Sequence, residues 1–179
     1  ALLLVGARLP RGLRIRLTGD LPSRPYVELT LQVLRAFGAT VQVLEERGAP
    51  VYHVARGGLA GTEYTVEGDH SSASYPLAAG WLTDTPVRVS NTRADSLQGD
   101  KVFPELLARL DGAGPRTFDL ADTPDIAPTV ATCALFAEGT THLSGLAHLR
   151  IKESDRLAVL AAAFQAVGAD VEEREDGLV

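Results

Sequence analysis

The sequence predicts an α/β protein with its helices inside and its sheets outside. Three features point there: helical stretches that are apolar on every side, strand candidates that are half polar, and a helix–turn–strand pattern that recurs. Leu157–Val167 carries one polar residue, Gln165; Pro128–Ala137 is interrupted only by threonines, and Ala73–Leu82 is similar. A helix without a polar face belongs where neighbours cover all of it. Half-polar strands belong in sheets with one wet face, whereas the usual α/β layering puts amphipathic helices over a buried parallel sheet.

Along the chain, Leu13, Ile15 and Leu17 alternate with Arg14, Arg16 and Thr18 and predict the first strand. Ser23-Arg24-Pro25-Tyr26 then opens a helix, with Pro25 in its first turn; an N-cap at Ser23 and a packed ring at Tyr26 are the plainer fates of those two residues. Val41 and Val43 mark a second strand, and Val51–Val54 a third after a turn at Gly48-Ala49-Pro50. Glu63–Glu67 and Pro86–Ser90 are further strand candidates. Between them Gly68-Asp-His-Ser-Ser-Ala-Ser-Tyr75 enters the helix Ala73–Leu82, with Asp69, Ser71 or Ser72 suited to cap it. Phe103, Leu106, Leu107 and Leu110 have helical spacing. Thr140–Ser144 and Ala169–Glu173 complete the strand candidates.

Ser23–Arg47 superposes on Glu153–Gly177 at a constant offset, so that Leu34 meets Phe164, Gly38-Ala39 meets Gly168-Ala169 and Val41 meets Val171. Each copy is a helix, a Gly-Ala break and a strand, and the glycine suits a left-handed residue that ends the helix. A third copy starts at Lys101 and reaches Gly112-Ala113, where Gly114-Pro115 replaces the strand and the chain goes directly to Arg116–Leu120. That unit is either natively short or lacks a hairpin.

Composition narrows the function. With 179 residues, 22% charged and 45% hydrophobic, the chain has the make-up of a soluble globular protein. A net charge of −6 argues against a nucleic-acid binder, and no apolar run is long enough to span a bilayer. Ala1–Val5 lacks the flanks of a signal peptide. The single cysteine, Cys133, allows no internal disulfide and reads as core packing in a reducing compartment. The abrupt start, without methionine, reads as a piece of something longer. His70 has only Asp69 at ligand spacing, so no zinc site is expected, and there is no Walker loop or G-x-G-x-x-G.

The strongest candidate for chemistry is Arg150-Ile-Lys-Glu-Ser-Asp-Arg156. Spacing places Lys152, Glu153 and Arg156 on one face of a helical first turn, with Ser154 or Asp155 as cap. Cations at a helix start oppose the macrodipole, so their clustering implies a receptor for phosphate or carboxylate; a solvated turn with local ion pairs is an equal alternative on composition alone. Asp125 follows Thr123-Pro124, an N-cap and first-turn pair. A helix-dipole role is the plainer account of that acid, and a general base aimed at a hydroxyl is the functional one.

These motifs resemble the EPSP synthase family, 3-phosphoshikimate 1-carboxyvinyltransferase. The resemblance rests on Asp122-Thr-Pro-Asp-Ile-Ala-Pro-Thr, Leu149-Arg-Ile-Lys-Glu-Ser-Asp-Arg-Leu157, Gly68-Asp-His-Ser-Ser-Ala-Ser-Tyr75, Ser96-Leu-Gln-Gly-Asp100 and Gly19-Asp-Leu-Pro-Ser-Arg-Pro-Tyr26, in the family's order. The Lys-Glu-Ser-Asp-Arg block separates it from the sister UDP-N-acetylglucosamine enolpyruvyl transferases, the alternative enzyme reading; a truncated non-catalytic homologue is the other alternative. The resemblance implies an inside-out α/β barrel of βαβαββ repeats in two domains. Residues 1–65 would be the final part of one repeat domain and 66–179 a large part of the second.

The reaction implied is enolpyruvyl transfer from phosphoenolpyruvate to the 5-hydroxyl of shikimate 3-phosphate, releasing phosphate. It belongs to aromatic amino acid biosynthesis, with no metal or organic cofactor, in a cytoplasmic enzyme that is monomeric when complete and has no nucleic-acid or membrane partner. Carried over by position, Ser23 binds the shikimate phosphate, Arg24 reaches toward it and Tyr26 packs by the ring. Asp125 contacts the shikimate hydroxyls and accepts the 5-hydroxyl proton. Lys152 binds shikimate 3-phosphate, Glu153 gives and takes the proton at the methylene carbon, and Arg156 holds phosphoenolpyruvate. His148 stands where many members have an asparagine that contacts shikimate. The family's amino-terminal Lys-Ser and carboxy-terminal arginine and lysine are absent, so the chain alone is expected to have no meaningful turnover.

Overall fold

Local patterning sorts the chain, in a computed structural model that describes residues 1–179, into two units, Ala1–Val66 and Glu67–Val179. The first contains α1 (Leu2–Gly6), β1 (Leu13–Arg16), α2 (Arg24–Ala36), β2 (Val41–Glu46) and β3 (Ala49–Val54). Its sheet has the order β1-β3-β2 and is antiparallel throughout. Leu31 and Leu34 of α2 are buried in a core with Leu3, Ala7, Tyr52 and Val54. Glu46 pairs with Ala49, so the β2–β3 turn is Arg47-Gly48 rather than Gly48–Pro50. Both turn residues have positive φ, 53° and 73°, the backbone that matches hairpin twist.

The second unit contains α3 (His70–Leu82), α4 (Phe103–Leu110), β4 (Arg116–Asp119), α5 (Ala127–Ala134), β5 (Thr141–Ser144), α6 (Arg156–Ala166), β6 (Glu173–Arg174) and β7 (Gly177–Leu178). Short 3-10 segments cover Gly99–Val102, Pro124–Ile126 and Ala147–Ile151. The sheet order is β4-β5-β7-β6, with β4 and β5 parallel and the other pairs antiparallel. No helix is long and apolar enough to cross a membrane.

The helix polarities work out unevenly. In α4 the predicted stripe of Phe103, Leu106, Leu107 and Leu110 is buried, and α5 buries Ala127, Val130, Ala131 and Cys133. By contrast, α6 buries only Leu157 and Ala161, leaving Val159 57% exposed and Val167 at its C-cap 78% exposed, and Tyr75 of α3 is 64% exposed. The reason is the number of neighbours: α5 packs against α3, α4 and β5, whereas α6 packs against β6, β7 and Ala147–Ile151. Apolar composition shows that a helix lacks a wet face, not that this chain covers every side of it.

Two strand candidates, Glu63–Glu67 and Pro86–Ser90, join no ladder; Gly68 N–H donates to Asn91 O at 2.6 Å just beyond their ends. Alternation is a local property, and a strand also needs a partner with free backbone groups. The strand predicted over Ala169–Glu173 appears only as β6, starting at Glu173, although Glu172 and Val179 exchange bonds of 2.8 and 2.9 Å.

The repeat survives in its helix ends. Gly38 and Gly168 have φ of 84° and 87°. Ala39 N–H reaches back to Leu34 O at 2.9 Å, and Ala169 N–H to Phe164 O at 3.0 Å; Gly38 and Gly168 bond to Arg35 and Gln165, both at 2.9 Å. These are two Schellman caps in equivalent places. Their surroundings differ: a Cβ on Gly38 would lie 2.5 Å from Gly58 O, whereas one on Gly168 meets open space. Gly168→Ala should therefore cost about 1 kcal/mol, the penalty of a left-handed alanine. Gly38→Ala should cost clearly more, about 2 kcal/mol or above, because backbone must also move. Urea unfolding with amide exchange read in each unit measures both, and equal losses would contradict the argument.

Candidate active site

Asp125 is presented by burial on either side of it. Pro124 and Ile126 are buried in the 3-10 turn that leads into α5, and Asp125 between them is exposed. Thr123 occupies the cap position, but its side chain makes no capping bond, which departs from the sequence reading. The turn is therefore fixed by the packing of Pro124 and Ile126, and α5 is tied to α3 by Ser74 Oγ and Thr129 Oγ1 at 3.2 Å.

The Arg150–Arg156 stretch divides into frame and site. Residues 147–151 are 3-10 helix, Lys152 is extended, and α6 starts only at Arg156 with Asp155 as cap, accepting from Ala158 N–H at 3.0 Å. Lys152 and Glu153 therefore precede the helix, and the helical face shared with Arg156 that the spacing predicts does not form. The chain is already turned there by the cap. Glu153 nevertheless meets Arg156, with Oε1 2.5 Å from the terminal guanidinium nitrogen and 3.2 Å from Nε. Arg156 also lies 3.5 Å from Asp125 Oδ1. Asp125, Glu153 and Arg156 thus come together, and Lys152 stands beside them, exposed, with no direct bond.

The electrostatics follow from that grouping. Arg156 occupies the first position of α6, where a cation opposes the helix dipole, and the two carboxylates offset the cost. Hydrogen bonding to Arg156 holds the Glu153 carboxyl below the ordinary glutamate range, and the same contact raises Arg156. Local ion pairs are therefore present at the start of α6. They involve side chains that an anionic ligand can replace.

His148 adds a group the spacing could not place. Its Nε2 is buried with no hydrogen-bond partner, and burial followed by the charge of Lys152 lowers its pKa, so the ring is neutral at pH 7. Arg150, counted among the cations from sequence, serves the frame: its guanidinium donates to Asp155 Oδ2 at 2.9 Å and Glu173 Oε1 at 2.6 Å. Asp100, 2% exposed, accepts from Ser71 Oγ at the start of α3, where Asp69 is the cap, accepting from Ser71 N–H at 3.0 Å. Nothing in the spacing of Ser96-Leu-Gln-Gly-Asp100 marked that acid as buried. Cys133 is fully buried and its thiol is pushed up to about 11 by burial, so it is a core residue. No group of three His, Cys, Asp or Glu is arranged to hold a metal ion.

Ser23 and Tyr26 lie in the first unit. Ser23 heads α2 with left-handed φ and ψ of 58° and 37°, and its hydroxyl does not cap the helix. Its carbonyl instead accepts from Tyr26 N–H at 3.1 Å, and Tyr26 is 40% exposed. The N-cap reading of Ser23 is thus corrected: a left-handed residue turns its side chain away from the helix start it would have capped.

Comparison with known proteins bears on what these residues serve. The family model of EPSP synthase (3-phosphoshikimate 1-carboxyvinyltransferase) matches residues 1–179. The 3-phosphoshikimate 1-carboxyvinyltransferase of Halobacterium salinarum (strain ATCC 29341 / DSM 671 / R1) is 41% identical over 202 residues, covering 100% of this chain and 46% of that protein. That of Yersinia ruckeri is 37% identical over 196 residues, covering 98% and 44%. The chain thus spans a little under half the length of the curated relatives it matches. The 202 matched positions exceed the chain's 179 residues, so the relative carries residues within the matched region that this chain lacks. The solved EPSP synthase of Acinetobacter baumannii has the same α/β fold over 98% of this chain and 44% of that one, with a TM-score of 0.66 and 24% identity. The match over every residue makes this chain a member of the EPSP synthase family.

Proposed function

We propose that this chain contributes substrate-binding and proton-transfer groups to an enzyme that moves the enolpyruvyl group of phosphoenolpyruvate to the 5-hydroxyl of shikimate 3-phosphate. The observation that carries this is the convergence of Asp125, Glu153 and Arg156, with Lys152 beside them, in a chain of this family. The enzyme is cytoplasmic and monomeric when complete, and acts in aromatic amino acid biosynthesis. Residues 1–65 form the end of one repeat domain and 66–179 a large part of the other.

The chemistry assigns each group a task. Asp125 takes the proton of the attacking hydroxyl as a carbon–oxygen bond forms to phosphoenolpyruvate. Glu153 delivers a proton to the methylene carbon and takes one back when phosphate leaves. Lys152 and Ser23 bind the shikimate phosphate, Tyr26 packs by the ring, and Arg156 binds phosphoenolpyruvate. Held by Arg156, Glu153 is an anion and cannot donate. A phosphoenolpyruvate anion that draws the guanidinium away frees the carboxyl to take up a proton, so binding arms the acid.

Phosphate release from phosphoenolpyruvate, assayed with and without shikimate 3-phosphate, tests the reaction in the protein that carries this chain. Acceptor-dependent release is expected, with Asp125→Asn and Glu153→Gln each lowering kcat about 100-fold or more. Release indifferent to the acceptor, or unaffected by Asp125→Asn, would sink the proposal. The 19.0 kDa chain by itself should show no meaningful turnover.

The carboxyl of Glu153 offers a second test. Its folded pKa is depressed, so the pairing with Arg156 is fully present at neutral pH and is lost as pH falls through that lowered value. Carboxyl carbon NMR should find Glu153 titrating below ordinary glutamates. Arg156→Gln should raise its midpoint toward the ordinary range; an unmoved midpoint would show that Arg156 is not the cause.

A further inference from the structure

We infer that Arg150, together with Asp176, is a positioning device that sets the geometry of Glu153 and Arg156 by clamping the segment 145–155 to the β6–β7 hairpin. The clamp has two jaws. Asp176, in the two-residue turn between β6 and β7, accepts from Gly145 N–H at 2.9 Å and Ala147 N–H at 3.0 Å, and its carbonyl accepts from Leu146 N–H at 3.0 Å. Those bonds fix the start of the segment. Arg150 works from its middle, with Nε donating to Glu175 O at 2.8 Å and a terminal nitrogen donating to Arg174 O. The other terminal nitrogen bridges Glu173 and Asp155. Asp155 is also the cap of α6, so the same guanidinium fixes the residue from which Arg156 departs.

Lys152 and Ser154 make no hydrogen bond of their own, and Glu153 bonds through its side chain to Arg156. Where these residues lie is therefore decided by what holds either side of them. Arg150 touches neither Glu153 nor Arg156, and it is not among the charges that lower the Glu153 carboxyl. Its influence on the pair runs through the backbone. A guanidinium is suited to this because its planar fork serves two carboxylates and two carbonyls at once, which an ammonium cannot do.

The inference rests on the reading of Glu153 and Arg156 as site residues, but its test does not require turnover. Arg150→Lys keeps the charge and loses the fork. In the folded variant the Glu153 midpoint, read by carboxyl carbon NMR, should shift upward toward the ordinary glutamate range, and the Arg156 Nε–H signal should lose its exchange protection. Asp176→Asn, which weakens the other jaw, should move both in the same direction by a smaller amount, and it serves where Arg150→Lys does not fold. An unchanged Glu153 titration in whichever variant is folded would overturn the clamp. Failure of the proposed reaction would register separately, as acceptor-independent phosphate release in the parent protein with its Glu153–Arg156 pair intact.

Discussion

Burial of α5 over most of its surface is the constraint on which the second unit is built. Ala127, Val130, Ala131 and Cys133 have almost no contact with solvent, so other elements must surround them. Phe103, Leu106, Leu107 and Leu110 of α4 and Phe118 and Leu143 of the sheet share that core. Small residues dominate α5 because neighbours approach it from several sides, and close approach leaves little room for long side chains. A deeply buried helix must still bring its ends to the surface. The entering turn does so by burying Pro124 and Ile126 and leaving Asp125 outside. The Asp125 carboxylate is thus aimed by hydrophobic packing, without a hydrogen bond from Thr123.

Charge is distributed on the same principle. Four carboxylates near α6 have defined partners: Asp155 caps the helix, Glu173 takes Arg150, Asp176 takes two backbone amides, and Glu153 takes Arg156. Lys152 alone among the local cations lacks such a partner, and the neutral ring of His148 lies close enough to feel its field. Asp125, Glu153, Arg156 and Lys152 together carry no net charge, and the Lys152 ammonium is the one cation among them without a direct carboxylate partner.

Much of this was legible in the sequence because it is local. The stripe of α4, the Asp69 cap and the glycines that end α2 and α6 each follow from a few adjacent residues. What was not legible depends on partners. Glu63–Glu67 and Pro86–Ser90 alternate correctly but find no ladder, and α6 is apolar all round yet covered on one side. Helical spacing brought Glu153 to Arg156 for the wrong reason, since the contact crosses a cap instead of running along a helix. Asp176 went unnoticed because its amide partners lie about thirty residues away in sequence. The motif identified the neighbourhood, and tertiary contacts decided which of its residues are tied to the main chain and which meet only side chains.

Arg150 and Arg156 show how that decision is made. They are six positions apart in one motif, and both are paired with carboxylates. Arg150 also bonds to two main-chain carbonyls, whose positions are set by the hairpin, so no ligand can take over its role without unmaking the turn. Arg156 is paired only with side chains, and its closer partner, Glu153, is 71% exposed. Exposed pairs of that kind contribute little to stability, so exchanging one carboxylate for another costs little. Anchoring to backbone makes an arginine part of the frame, whereas pairing to solvent-exposed side chains leaves its charge available to a ligand. The distinction lies in the acceptors, and it sets the two guanidiniums apart within the same short stretch of chain.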